Sequence, residues 1–160
     1  MNDTVKGAII GAVATVLAAL IPIIPNLQYI IRSKAYDKVT GSIDYPKPNE
    51  TVNRTFNCSG VVTGLKSGLH LWLVVEVGDR MWPKEKAIVE NNQWKATVFE
   101  DGSSNVISLS LYVADSKADK NIQKWLESGQ ITGNFTELKG IPHARRLTRL
   151  DNLHLNTRNP

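Results

Sequence analysis

The sequence predicts a mainly β protein, with about seven strands in two stacked sheets and one short helix, preceded by a single transmembrane α-helix. Three observations predict it. Residues 7–31 contain no Asp, Glu, Lys, Arg or His. From residue 42 onward, apolar and polar side chains alternate at period two through short runs closed by Gly, Pro or Asn. Those runs are not separated by helices in a βαβ rhythm, which favours packed antiparallel sheets over a parallel one.

The first element is the apolar stretch between Lys6 and Arg32. As a helix its twenty-five residues would rise about 37 Å, enough to cross a hydrocarbon core of about 30 Å with some tilt. Lys6 and the residues after it would also suit an export signal. However, IPIIPNLQYII (21–31) stays apolar and offers no small-x-small cleavage site, so a retained span over residues 5–31 is expected. Gly7 and Gly11 form GxxxG, and Ala14 and Ala18 continue the small residues at helical spacing, a stripe that lets a second copy pack closely and implies a homo-oligomer. Pro22 and Pro25 each remove a backbone donor and free the carbonyls of Ala18 and Ile21, so a kink is expected there. Lys6 alone precedes the span, whereas Arg32, Lys34 and Lys38 follow it. The positive-inside rule then places the following domain in the cytoplasm of a bacterial inner membrane. The N-x-S/T triplets at Asn2, Asn49, Asn53, Asn57 and Asn134 oppose this placement, since in an exported protein they would be glycan acceptors. The unpaired Cys58, the one cysteine of 160 residues, favours a reducing compartment.

A polar linker is expected over 32–41 and the folded domain over 42–157. SIDYP (42–46) reads as an edge strand ended by prolines. VNRTFNCSGVV (52–62) puts Val52, Phe56, Cys58 and Val62 on one face. LHLWLVVEV (69–77) is the most apolar run and reads as central. AIVE (87–90) and WKATVFE (94–100) form a hairpin around Asn91-Asn92. VISLSLYVA (106–114) alternates again, with Ile107, Leu109, Leu111 and Val113 on one side. A helix follows, with Ser116 and Asp119 as capping box, Ile122, Trp125 and Leu126 at helical spacing, and Gly129 as stop. A last strand covers about 147–155.

Cys58 on the second strand and Trp72 on the third are spaced as in an immunoglobulin-like domain, where tryptophan packs on the inter-sheet bridge. Tyr112 stands where the second cysteine would be, so the fold expected is an immunoglobulin-like β-sandwich without a disulfide. The runs SGVVTGLKSGLHLWLVVE, MWPKE, QWKATV, SLSLYVAD and GIPHARRL resemble a poorly characterised prokaryotic sandwich domain. Such modules lie at the ends of bacterial signalling and immunity-type proteins or are attached to membrane segments. The resemblance spans about 43–156 and implies the fold and a place in antiviral defence or stress. It carries no active site.

Chemistry is thinly supported. The histidines, His70, His143 and His154, are not paired with Cys58 by spacing, and no His, Cys or carboxylate pair has metal-ligand spacing. No glycine-rich phosphate loop precedes a helix. No enzyme, cofactor or metal is expected, and no DNA partner. Binding is the better category. HARRLTRLDNLHLNTR supplies Arg145, Arg146 and Arg149, which on a terminal strand would ordinarily just keep an edge soluble; alternatively, Arg146 beside Trp82, Trp94 or Tyr112 would offer a guanidinium and an aromatic face to a nucleotide-type signal or a protein partner. Trp82, beside Pro83 in an expected loop, is the tryptophan a core explains least. The function expected is a non-enzymatic single-pass membrane protein whose sandwich recognises a partner or signal and whose self-associating span disturbs the lipid bilayer. A passive tethered adaptor and an exported adhesion module are the alternatives.

Overall fold

The computed structural model describes residues 36–157. Contacts divide the chain into two units, Met1–Asp37 and Lys38–Pro160. The expected span, with Gly7, Gly11, Ala14, Ala18, Pro22 and Pro25, lies outside the described residues. Among those described, no helix is long and apolar enough to cross a membrane.

The second unit is mainly β, with two sheets in a sandwich-like arrangement and one helix. Its elements are β1 (Thr40–Gly41), β2 (Thr51–Val52), β3 (Thr55–Thr63), β4 (Leu69–Val77), β5 (Arg80–Lys86), β6 (Ile88–Glu90), β7 (Gln93–Phe99), β8 (Val106–Asp115), α1 (Ser116–Thr132) and β9 (Ala144–Leu155). One sheet has the order β1-β3-β7-β6 and the other β2-β9-β8-β4-β5. All pairings are antiparallel except β2 with β9.

Period-two patterning builds the core. Phe56, Cys58, Val62, Trp94 and Val98 are buried in the first sheet; Leu71, Leu73, Val75, Ile107, Leu109, Leu111, Val113 and Leu153 are buried in the second. Each large aliphatic side chain among them contributes roughly 1.5–3 kcal/mol by leaving water. In β4 and β8 burial does not alternate. Leu71 to Glu76 and Ile107 to Ala114 are buried on both faces, because α1 and the chain after it cover part of the outer face.

Several local expectations are corrected. RMWPKEK, expected as a loop at Trp82, is β5, an edge strand on β4. Pro83 pairs with Val74 and Glu85 with Leu73, so Lys84 bulges out beside the residue that lacks a ladder donor. The freed Lys84 reaches the buried Glu100 at 2.7 Å. Residues 42–46 form no continuous strand: β1 precedes them, and Tyr45 then bridges Ser59. The expected linker already contributes Val39 to the core.

Trp72 does not pack against Cys58. It lies on the outer face of its sheet with Ala114, Ala118 and Ile122, under α1. The tryptophan buried on the strand beside Cys58 is Trp94, opposite Gly60. Gly60 is required there, since a Cβ would overlap the Ser42 carbonyl and lie 2.8 Å from Trp94 Nε1. That indole donates to Ser42 O at 2.9 Å.

The helix begins one residue earlier than a Ser116 cap would have it. Asp115 is the N-cap, and its carboxylate accepts from Lys117 N and Ala118 N. The stop is Gly133, at φ 69°, where a left-handed residue ends the helix without a Cβ penalty. Gly129 lies inside α1 against the Phe135 ring, which leaves no room for a larger residue.

Candidate binding face of the five-stranded sheet

Alternation along β4, β8 and β9 brings the sequence-nominated arginines to the outer face of one sheet. Trp72, Val74 and Glu76 pair across β4–β8 with Tyr112, Ser110 and Ser108. Across β8–β9, Tyr112 pairs with Arg146 and Ser110 with Arg149. α1 covers the Trp72 end. It is held by Asp119, which accepts from Trp72 Nε1 at 2.9 Å, Lys86 Nζ at 3.0 Å and Gln123 Nε2 at 2.9 Å. A buried carboxylate is tolerated where donors surround it, and here they join the helix to two strands.

At the other end Glu76, only 2% exposed, is neutralised from above. Arg149 NH1 donates to its Oε2 at 2.9 Å, Arg146 NH1 lies 3.3 Å from the same oxygen, and the Tyr112 hydroxyl donates to Oε1 at 3.3 Å. Arg149 is fully engaged: its Nε donates to Asp151 Oδ1 at 2.6 Å and its NH2 to Ser108 Oγ at 3.0 Å. Ser108 in turn donates to Asp151 Oδ1 at 2.7 Å. Arg146 differs. Its side chain is 44% exposed and its bonds to Glu76 are long and share a single nitrogen. The rest of its fork has no protein acceptor among the described residues.

The electrostatics follow the geometry. Burial, and then the neighbouring Glu76 charge, push the Tyr112 hydroxyl pKa above its ordinary value. Hydrogen bonds from Ser108 and then Arg149 hold the Asp151 carboxyl below its ordinary value. Ser110 Oγ is fully buried between Val74 and Arg149 and has no hydrogen-bond partner among the described residues.

The nominated residues therefore separate. Arg146 and Arg149 converge on Glu76, whereas Arg145 reaches away to Val39 O at 2.6 Å. Trp82 is half-buried in β5, and its indole donates to Phe135 O at 3.2 Å. Trp94 belongs to the other sheet, so Tyr112 alone of the three expected aromatics stands beside Arg146. The sequence reading missed Glu76, Ser108, Ser110 and Asp151. Their signal was an acid inside an otherwise apolar strand, which needs a cation from a neighbouring strand, opposite a Ser-x-Ser strand face. Cys58 is buried and its thiol pKa is pushed up to about 12, so no reactive thiolate forms. His70 and His143 each lie 3.8 Å from a carboxylate, of Asp119 and Asp115 respectively. Among the described residues no three His, Cys, Asp or Glu side chains are grouped to hold a metal ion.

No family model matches the chain, and neither a curated protein nor a solved structure does.

Proposed function

We propose that this is a non-enzymatic, membrane-anchored recognition protein in which an immunoglobulin-like sandwich receives an acidic group of a partner or a small phosphate-bearing signal at Arg146. The strand order supports the fold assignment. In immunoglobulin lettering the sheets read A-B-E-D and A′-G-F-C-C′, with α1 inserted between F and G. The observation that carries the binding role is the unspent guanidinium of Arg146. Glu76 is already compensated by Arg149, so Arg146 can turn its fork to an incoming carboxylate or phosphate without leaving a buried charge unpaired. Titration of the full-length chain in nanodiscs with adenosine monophosphate and with a hexaglutamate peptide tests this. Saturable binding of one probe, weakened at least tenfold in Arg146→Ala, is the result expected. Binding of neither, or binding equal in Arg146→Ala, contradicts the reading.

The uncharged segment at 7–31 supplies the anchor, and its Gly7, Gly11, Ala14, Ala18 stripe supplies self-association. A change at the sandwich then reorganises spans kinked at Pro22 and Pro25 and disturbs the bilayer, the behaviour of a defence or stress effector. Gly11→Leu should abolish cross-linked oligomers and the loss of membrane potential on overexpression. Oligomers that persist in Gly11→Leu remove the packing stripe, and an intact potential with the native chain leaves a passive tether.

A further inference from the structure

Two of the N-x-S/T triplets, at Asn53 and Asn57, begin where the chain passes from β2 into β3. In NETVNRTFN (49–57) the residues Thr51, Asn53, Thr55 and Asn57 recur at period two, alternating with the buried Val52 and Phe56. Together with Tyr45 and Asn156 they line a cleft of about 430 Å³. That volume lies within the range of about 300–1,000 Å³ usual for small-molecule sites, but the lining chemistry is unusual. None of the residues lining it is acidic or basic. It offers hydroxyls, carboxamides and the exposed Tyr45 ring, with the largely buried Val52 and Phe56 at its base.

The carboxamides are held in place. Asn156 Nδ2 donates to Asn53 Oδ1 at 2.6 Å, and Thr97 Oγ1 donates to Asn57 Oδ1 at 2.9 Å. The Nδ2 donors of Asn53 and Asn57 and the side-chain carbonyl of Asn156 are left without a protein partner among the described residues. Tyr45 is 41% exposed while its backbone is tied to Ser59 on both sides, by bonds of 3.1 and 2.9 Å, so its ring is presented from a fixed backbone.

We infer that this cleft binds a neutral, polyhydroxylated ligand, a mono- or disaccharide, with the Tyr45 ring against one sugar face and the asparagine and threonine side chains bonding its hydroxyls. Sugar hydroxyls both donate and accept, as carboxamides and threonine hydroxyls do collectively, and a neutral ligand needs no counter-charge. Pre-fixed side chains lower the ordering cost of binding. The cleft lies along the start of β3, where Thr55, Phe56 and Asn57 line it. It is distinct from the Arg146 face, so either proposal can fail alone.

Saturation-transfer NMR on the full-length chain in nanodiscs, with glucose, galactose, N-acetylglucosamine, maltose and glucuronate as probes, tests it. At least one neutral sugar should bind, and glucuronate should bind at least fivefold more weakly than it. Tyr45→Ala and Thr51→Val should each weaken binding tenfold or more, Tyr45→Phe should retain it, and Arg146→Ala should leave it unchanged. Thermal unfolding of each variant confirms that it is folded. Absence of binding by every neutral sugar at 20-fold excess over a millimolar Kd, or binding indifferent to Tyr45→Ala and Thr51→Val, overturns the inference. So does a covalent glycan on Asn53 or Asn57 in the native protein, because the triplets would then be acceptors filling the cleft.

Discussion

At the scale of single residues the outer-face cluster is a buried acid supported by two unequal cations. Arg149 is saturated by Glu76, Asp151 and Ser108, so its removal leaves a carboxylate with little access to water. Arg149→Ala should lower stability by about 2 kcal/mol, discounted from the cost of breaking a fully buried pair because Arg149 is one-third exposed. Arg146→Ala should cost less than about 1 kcal/mol. Denaturant unfolding of the two variants checks the contrast, and equal losses would mean that Arg146 is not spare. Ser110→Ala should be neutral or stabilising by up to about 1 kcal/mol, since it deletes a buried hydroxyl that makes no bond. Tyr112 gives a pH signature. Its folded pKa is raised, so the stability it contributes is fully present below the unfolded value of 10.0 and is lost as pH rises through the higher folded value. Tyr112→Phe should flatten that alkaline loss in unfolding curves recorded from pH 9 upward. The arginines were legible in the sequence because a basic run announces itself. Glu76 was not, because LHLWLVVEV reads as an apolar strand until the register shows which strand supplies its cations.

At the scale of elements, alternation located β3 and β8, a continuous apolar run located β4, and the Asn91-Asn92 turn located β7. Alternation failed at β5, where RMWPKEK has no period-two pattern: Pro83 sits at a bulge, and the strand is held by pairing with β4 and by the Leu138 bridge to Met81. It also failed for Trp72. Parity along β4 puts Trp72 opposite to Leu71 and Leu73, and only the covering helix makes that outer position a buried one. The helix ends were misplaced for a local reason, since Asp115 can cap as well as Ser116 and Gly129 is small for packing rather than for termination. A mutant cycle tests this last point. Gly129→Ala should destabilise by more than about 1 kcal/mol through its clash with Phe135, and Phe135→Ala in the same chain should recover most of that loss. Independent, additive losses would show that Gly129 does not hold the loop against α1. Asp119→Ala, which strips the bonds from Trp72, Lys86 and Gln123, should cost about 2–3 kcal/mol, read by calorimetry.

At the scale of the whole molecule, composition and pattern specified a mainly β unit with two sheets and one helix. What they left open is how α1 converts a solvent face into a half-covered one. That outcome depends on a contact between residues 72 and 119, far apart in sequence, and no local pattern encodes it. The buried Cys58 gives a global probe: with its thiol pKa near 12, labelling at pH 8 should proceed only through unfolding and should quicken in Arg149→Ala. The functional account rests on attachment to a bilayer through residues 5–31, with the sandwich on the cytoplasmic side. Alkaline carbonate extraction, followed by protease digestion of right-side-out and inverted membrane vesicles, measures both at once. The account predicts a full-length chain retained in the pellet, with a sandwich cut only in inverted vesicles; a soluble chain starting beyond residue 31, or a sandwich cut from outside, would contradict it.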